Sequence, residues 1–224
     1  MKRNQLTLAL PKGRLTNPVQ DLLERAGVSI AFADRKLVAT AADARSELDI
    51  QVLLVKNADL PVYVHHAIAG LGVCGEDVIF ESGYDLVKLF RLPVGGSRMC
   101  LAGFEKGVSP DVEGAELTVA TKFPRFARRH FHRRGVPVEI VKLSGSVELA
   151  PVLGLCPFIV DIVETGKTLR AHDLVVLEEL AEISVYLVAN PAYYKLHYRE
   201  IDGLVARLEE AGSAEESSRD GGAS

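Results

Sequence analysis

The chain has 224 residues, 48% of them hydrophobic and 25% charged, enough apolar material for one large or two small domains around a real core. A net charge of −4 sets up no overall field that would draw nucleic acid, so any anion site must be local. The apolar stretch Leu149 to Val160 is too short and too rich in Pro and Gly to span a bilayer, and the basic start Met1 to Gln5 is followed by only a strand-length apolar run, which argues against both a membrane helix and an export signal.

In chain order, the first predicted unit is a strand, Leu6 to Leu10, then a helix with Asn17 as N-cap, Pro18 at its first position and Gly27 as its stop. Further strands are expected at Ile50 to Val55, Leu71 to Val73, Val87 to Leu92, Met99 to Ala102, Leu117 to Ala120, Val138 to Val141, Phe158 to Ile162, Val175 to Leu177 and Val185 to Val188. Helices are expected at Pro61 to Ala69, Pro124 to Arg134, Ser146 to Val152 and Tyr194 to Leu208. Continuous Val/Ile/Leu runs bounded by glycine indicate sheets covered on both faces, hence an α/β architecture. After Leu208 the composition turns to Glu, Ala, Gly and Ser, so 209–224 reads as a flexible polar tail. Cys74, Cys100 and Cys156 are far apart in apolar segments, the pattern of buried reduced thiols in a cytoplasmic protein.

Several motifs invite a function. Gly70-Leu71-Gly72-Val73-Cys74-Gly75 has dinucleotide-fingerprint spacing, but a helix is predicted before its first glycine where a strand is required. The predicted geometry is a turn at Gly70, a short buried strand and a second turn at Gly75. Gly166-Lys167-Thr168 resembles the end of a Walker A loop, whose earlier glycine would fall at Asp161. The run Glu164-Thr165-Gly166-Lys167-Thr168-Leu169 still follows a buried strand, and such a turn offers a phosphate several N–H groups and two hydroxyls. Asp161 and Glu164 at its entrance suit ribose hydroxyls or a hydrated magnesium ion; the plainer alternative is a capped helix start with two surface acids. Lys12-Gly13-Arg14, after the first strand, is a weaker anion candidate of the same kind. The segment from Lys122 to Arg134 carries six Lys/Arg and no acid, but Phe123, Phe126 and Phe131 at helical spacing read as a core stripe with arginines outside, not as an RNA-binding helix.

Taken together, these residues resemble the ATP phosphoribosyltransferase family from Ala9-Leu10-Pro11-Lys12-Gly13-Arg14-Leu15 to about Asn190. Supporting segments are Asp59-Leu60-Pro61-Val62-Tyr63-Val64, Leu71 through Gly75-Glu76-Asp77-Val78, Ala120-Thr121-Lys122-Phe123-Pro124 and Leu143 to Pro151. Ile159-Val160-Asp161-Ile162-Val163-Glu164-Thr165-Gly166-Lys167-Thr168-Leu169-Arg170-Ala171 looks like the family's loop for phosphoribosyl pyrophosphate (PRPP). The resemblance implies a two-lobe, periplasmic-binding-protein-like α/β fold with the active site in the inter-lobe cleft. Lobe I would take 1–91 and 181–208, and lobe II 92–180. It also implies Mg²⁺-dependent transfer of the phosphoribosyl group to N1 of the adenine of ATP, the first step of histidine biosynthesis. The polar tail, with no regulatory domain after Leu208, resembles the short form, which implies a homo-oligomer that joins a regulatory subunit related to histidyl-tRNA synthetase. No membrane or nucleic acid is implied.

Residue by residue, the resemblance implies that Thr165, Gly166, Lys167, Thr168 and Leu169 hold the 5′-phosphate. Asp161, Glu164 and Glu148 would face the ribose, and Lys12, Gly13 and Arg14 the phosphates of ATP or of the leaving group. Arg35 and Lys56 would act on the departing pyrophosphate; no residue is assigned as a metal ligand. The sequence departs from the family at Lys56 for the usual arginine, at Gly70 and Pro157 for aspartates, and at His172-Asp173 for Asn-Gly. These departures leave a non-catalytic paralogue, or a two-lobe solute binder, as the alternative.

Overall fold

A computed structural model of the chain describes residues 5–32, 36–45, 48–105 and 117–220, with side chains through 213. The first half contains β1 (Gln5–Lys12), α1 (Thr16–Arg25), β2 (Val28–Ile30), β3 (Val38–Asp43), β4 (Asp49–Lys56), α2 (Leu60–His65), β5 (Leu71–Gly75), α3 (Glu76–Ser82) and β6 (Val87–Phe104). The rest contains β7 (Leu117–Thr121), α4 (Pro124–Arg133), β8 (Val138–Lys142), α5 (Leu149–Val152), β9 (Phe158–Val163), α6 (Lys167–Arg170), β10 (Leu174–Ala189), α7 (Pro191–Leu196) and α8 (Tyr198–Asp220). The chain divides into two compact units, Met1–Gly95 with Ser184–Ser224 as the first and Gly96–Ile183 as the second. β6 and β10 carry the chain across that boundary.

In the first unit the strand order is β2-β3-β4-β1-β5-β10, with β4, β1 and β5 parallel. β1 alternates across the sheet as its period of two requires. Leu6, Leu8 and Leu10 pack with Val19 and Leu22 of α1 and Ile201, Leu204 and Leu208 of α8. Ala9 faces the other side, with Leu60 and Val64 of α2 and Ile79 of α3. Each of the fully buried leucines contributes about 1.5–3 kcal/mol by leaving water, so both faces of this sheet are firmly covered.

The second unit repeats the plan with the order β6-β9-β7-β8, in which β9, β7 and β8 are parallel and β6 is antiparallel to β9. Val119, Phe158 and Val160 meet Phe123, which caps α4, and Ala127 and Phe131 of α4 on one face. Ala120, Ile159 and Val163 meet Ala150 of α5 and Leu169 of α6 on the other. The phenylalanine stripe of α4 is therefore core, and its arginines lie outside. No helix among the described residues is long and apolar enough to cross a membrane. All three cysteines are free and buried, and burial pushes the Cys74 thiol far up.

Several elements differ from the sequence expectation. α1 begins at Thr16, not after an Asn17 cap, because the Thr16 hydroxyl donates to the Pro11 carbonyl and accepts from the Gly13 N–H, closing the turn one residue early. The turn expected at Gly75 is the N-cap of α3, with Glu76 and Asp77 in the first helical turn, where the helix dipole favours acids. The α2 helix ends at His65, and Ala67 takes a left-handed φ of 53° before Gly70. The helix expected from Ser146 spans only Leu149–Val152, since Ser146 itself has a left-handed φ of 48°.

Val87 to Leu92 and Met99 to Ala102 are one strand, β6, despite Pro93 and the glycine pair. Gly95, at φ 74°, bends it where one unit ends. Likewise β10 runs unbroken through Glu178 and Glu179, whose charges are met by Arg134 and Arg98. The final expected helix is two, α7 and α8, with Asn190 capping α7 through bonds to the Ala192 and Tyr193 N–H groups. α8 continues to Asp220, so 209–220 is helical in its backbone where composition predicted a polar tail. Gly212 packs against Pro93, a tertiary contact that composition does not reveal.

Candidate functional site

In each unit the strand-end loops leave the carboxyl ends of three adjacent parallel strands, the place where open α/β sheets bind ligands. The second unit presents β8, β7 and β9, with Thr121 in register between Lys142 and Val160. The Thr121 hydroxyl donates to the Val160 carbonyl (2.6 Å) and accepts from the Phe123 N–H (2.9 Å), fixing the end of β7 against β9.

β9 leads through Glu164 and Thr165 to Gly166, which caps α6 in a left-handed conformation, φ 68°. A Cβ there would lie 3.1 Å from Nη1 of Arg170, whose Nη2 donates to the Thr165 carbonyl at 2.8 Å. The turn is thus drawn tight, while Thr165, Lys167 and Thr168 stay exposed beside first-turn N–H groups that no preceding helical carbonyl can take. Leu169, expected among the phosphate residues, is buried with Ile159 and Val163, so its side chain anchors the turn and only its main chain is left to meet a ligand.

Asp161 projects from the same face of β9 as Ile159 and Val163. Its side chain is 17% exposed, accepts from the Ile162 N–H at 2.8 Å and lies 3.2 Å from Nζ of Lys122. Burial pushes this carboxyl above its ordinary value, Lys122 and the Ile162 amide pull it back, and Glu148 at the start of α5 raises it again. Glu148 and Asp161 thus stand close enough to repel. Glu164 is exposed at the rim.

The first unit presents β4, β1 and β5. Lys12 and Lys56 are register partners at the ends of β1 and β4, so two exposed cations stand side by side on one face of the sheet. Gly13 takes φ 114°, and nothing would crowd a Cβ within 4 Å, so its backbone conformation rather than lack of space demands glycine. Arg14 follows. Crowding by protein holds its guanidinium below its ordinary value, and Asp77, buried in the first turn of α3, pulls it back up. Arg35 lies outside the described residues.

The structure therefore gathers Asp161, Glu148 and 164–169 in the second unit, and Lys12, Gly13, Arg14 and Lys56 in the first. Sequence reasoning gave no role to Lys122 or Asp77. Lys122 was hidden in the basic run that leads into α4, although it follows β7 much as Lys12 ends β1. Asp77 lay just beyond the turn expected at Gly75, and its signal was an acid at the start of a helix directly after a buried strand. Among the described residues no three His, Cys, Asp or Glu side chains are grouped to cage a metal.

A two-unit α/β protein with glycine turns at the ends of parallel strands is the class that this geometry defines. The same architecture is seen in the periplasmic VFT2 domain of Bordetella pertussis BvgS, with a TM-score of 0.59 at 15% identity over 94% of this chain and 92% of that one. A family model described as ATP phosphoribosyltransferase matches residues 56–210. ATP phosphoribosyltransferases of Caldanaerobacter subterraneus and Sorangium cellulosum are 43% and 44% identical, each over 92% of this chain and 96% and 95% of their own lengths. A chain of the ATP phosphoribosyl transferase (HisG:HisZ) complex from Thermotoga maritima superposes with a TM-score of 0.77 at 35% identity, over 93% of this chain and 99% of its own. The chain belongs to the ATP phosphoribosyltransferase family.

Proposed function

We propose that the chain transfers the 5-phosphoribosyl group of PRPP to N1 of the adenine of ATP, releasing pyrophosphate, and that the two sets of strand-end residues divide the substrates' anionic groups between them. The observation that carries this is the turn after β9, where a left-handed glycine and two exposed threonines lie next to a half-enclosed carboxylate. A sugar phosphate needs that combination: N–H and hydroxyl donors for the phosphate, and a carboxylate acceptor for the diol. Gly166, Thr165, Lys167, Thr168 and the Leu169 main chain take the 5′-phosphate, and Asp161, Glu148 and Glu164 take the ribose hydroxyls. Lys12, Gly13, Arg14 and Lys56 take the phosphates of ATP or of the leaving group.

The chemistry is a displacement at the anomeric carbon. The N1 lone pair forms the new bond, and the electrons of the broken C–O bond leave on pyrophosphate. No protein nucleophile is needed. The side chains lower the barrier electrostatically, because Lys12 and Lys56 meet charge that grows on the diphosphate in the transition state. Mg²⁺ suits this site as an ion carried on the diphosphate, since it is content with one or two carboxylates and phosphate oxygens, and it would add Lewis-acid stabilisation of the leaving group.

The Thermotoga protein is solved as a HisG:HisZ complex, and close relatives share this chain's length. On that footing the chain assembles with copies of itself and with a regulatory subunit related to histidyl-tRNA synthetase, serving histidine biosynthesis. Free buried thiols fit a reducing cytoplasm. Lobe boundaries near residues 91 and 181 are part of the same proposal.

The test is pyrophosphate release from ATP plus PRPP, followed with and without Mg²⁺. Magnesium-dependent release, with phosphoribosyl-ATP formed in equal amount, is expected. A folded protein that binds either substrate yet releases no pyrophosphate would instead be the non-catalytic paralogue.

A further inference from the structure

We propose that Lys122 is a positioning residue of the phosphoribosyl site: its ammonium, 3.2 Å from the Asp161 carboxylate, holds that group as a charged acceptor for the ribose diol. This rests on the phosphoribosyltransferase reading above. In sequence nothing singles this lysine out of the basic run Lys122 to Arg134; in the structure the others are exposed on or just after α4.

Lys122 is set apart by where the backbone puts it. It follows the last residue of β7, the central strand of the parallel trio, and Thr121 is pinned to Val160 by a buried hydrogen bond. The β7–β9 register places Ala120 opposite Ile159, so Lys122 falls on the same sheet face as Asp161. Pro124 starts α4 two residues later and Phe123 is buried, so the main chain on both sides of Lys122 is fixed. A lysine on such a base loses less freedom in forming an ion pair than one on a loop.

The surroundings of Asp161 disfavour its charge. Glu148 approaches from α5 and repels it, and Cys100 of β6, its register partner, is a neutral thiol with burial pushing its ionisation up. Desolvation also disfavours the charge. Among the groups facing Asp161, Lys122 supplies the charge that favours ionisation, helped by the single N–H of Ile162. Its side chain remains 38% exposed, so the pair can still open toward solvent. Without Lys122 the carboxyl would take up a proton at higher pH, and a protonated carboxyl is a poorer acceptor for two hydroxyls.

The experiment is calorimetric titration of the full chain with PRPP across about pH 5 to 9 for wild type, Lys122→Met, Lys122→Arg, Asp161→Asn and the Lys122→Met/Asp161→Asn double variant. PRPP has titrating phosphates of its own, and the Asp161→Asn profile isolates them. Wild type is expected to lose affinity as pH falls through the Asp161 ionisation. Lys122→Met should weaken binding about tenfold at neutral pH and move that limb to higher pH. Lys122→Arg should restore most of both, and in the Asp161→Asn background Lys122→Met should have no further effect. Weakening by one factor at every pH, or weakening that persists beside Asp161→Asn, would mean that Lys122 touches the ligand directly and would overturn the inference. Normal PRPP binding by Lys122→Met would overturn it too. Wild type that binds no PRPP at any pH would overturn the phosphoribosyltransferase reading itself, a different outcome.

Discussion

The turns after β9 and β1 are built alike and tuned differently. Both leave a parallel strand, pass through a left-handed glycine, Gly166 at φ 68° or Gly13 at φ 114°, and enter a helix. After β9 the neighbours are a half-enclosed carboxylate with its lysine, a second acid and two exposed threonines. After β1 they are lysines in register and an arginine backed by buried Asp77. On the proposed reading, acids beside phosphate donors suit a sugar phosphate, whereas a cluster of cations suits bare phosphates. On that reading one backbone device would acquire two specificities from the residues on adjacent strand ends.

The largest expected effect breaks one side of this contrast. Gly166→Val forces a β-branched residue into a left-handed conformation, 3.1 Å from Arg170, and should weaken PRPP binding by more than about a thousandfold. Equilibrium binding by a variant with native circular dichroism checks it; unchanged affinity would remove the turn from the site. Next, Lys56→Ala should slow single-turnover chemistry about ten- to thousandfold, while Lys56→Arg keeps or raises the rate, because a planar fork holds two phosphate oxygens at once. Equal single-turnover rates for wild type and Lys56→Ala would leave Lys56 a solvated strand end.

A third prediction concerns stability. The folded Asp161 carboxyl is pushed above its ordinary value, so between the unfolded and folded ionisations the native state holds the extra proton. That group's contribution to stability therefore falls as pH rises through this window, and ionised Asp161 costs stability at neutral pH. Asp161→Asn should raise the neutral-pH unfolding midpoint and flatten its pH dependence while PRPP affinity drops; a lowered midpoint would contradict the charge account. The smallest effect belongs to Asp173, which takes φ 57°, in the left-handed region that favours glycine. Asp173→Gly should change stability by no more than about 1 kcal/mol, in the stabilising direction, with PRPP affinity unchanged. Thermal melts and the same titration check it.

Much of this was legible in the sequence where local pattern and tertiary role agree. The run Phe158 to Ile162 followed by Thr165-Gly166-Lys167-Thr168 announces a buried strand and a glycine turn into a helix, and the structure has both. The α4 phenylalanines announce a core stripe by spacing alone. Legibility failed where distant residues decide. β6 passes through Pro93, Gly95 and Gly96 because it joins two units, and β10 tolerates Glu178 and Glu179 because Arg134 and Arg98 meet them. β3, Val38–Asp43, is rich in alanine and holds its place by pairing β2 and β4. Even the unusual Gly70 is a tertiary matter: a Cβ there would sit 2.0 Å from the Tyr193 ring, so no aspartate fits while Tyr193 holds that position. The pairings of Lys12 with Lys56 and of Lys122 with Asp161 needed sheet register, which sequence does not print.

The division of labour between the two turns is tested most directly with ribose 5-phosphate, which has the phosphate and the diol of PRPP but no diphosphate. Calorimetric titration of wild type, Gly166→Val and Lys12→Ala/Lys56→Ala should show binding that disappears in the first variant and survives unchanged in the second. Binding that survives Gly166→Val and disappears with the two lysines would contradict the account.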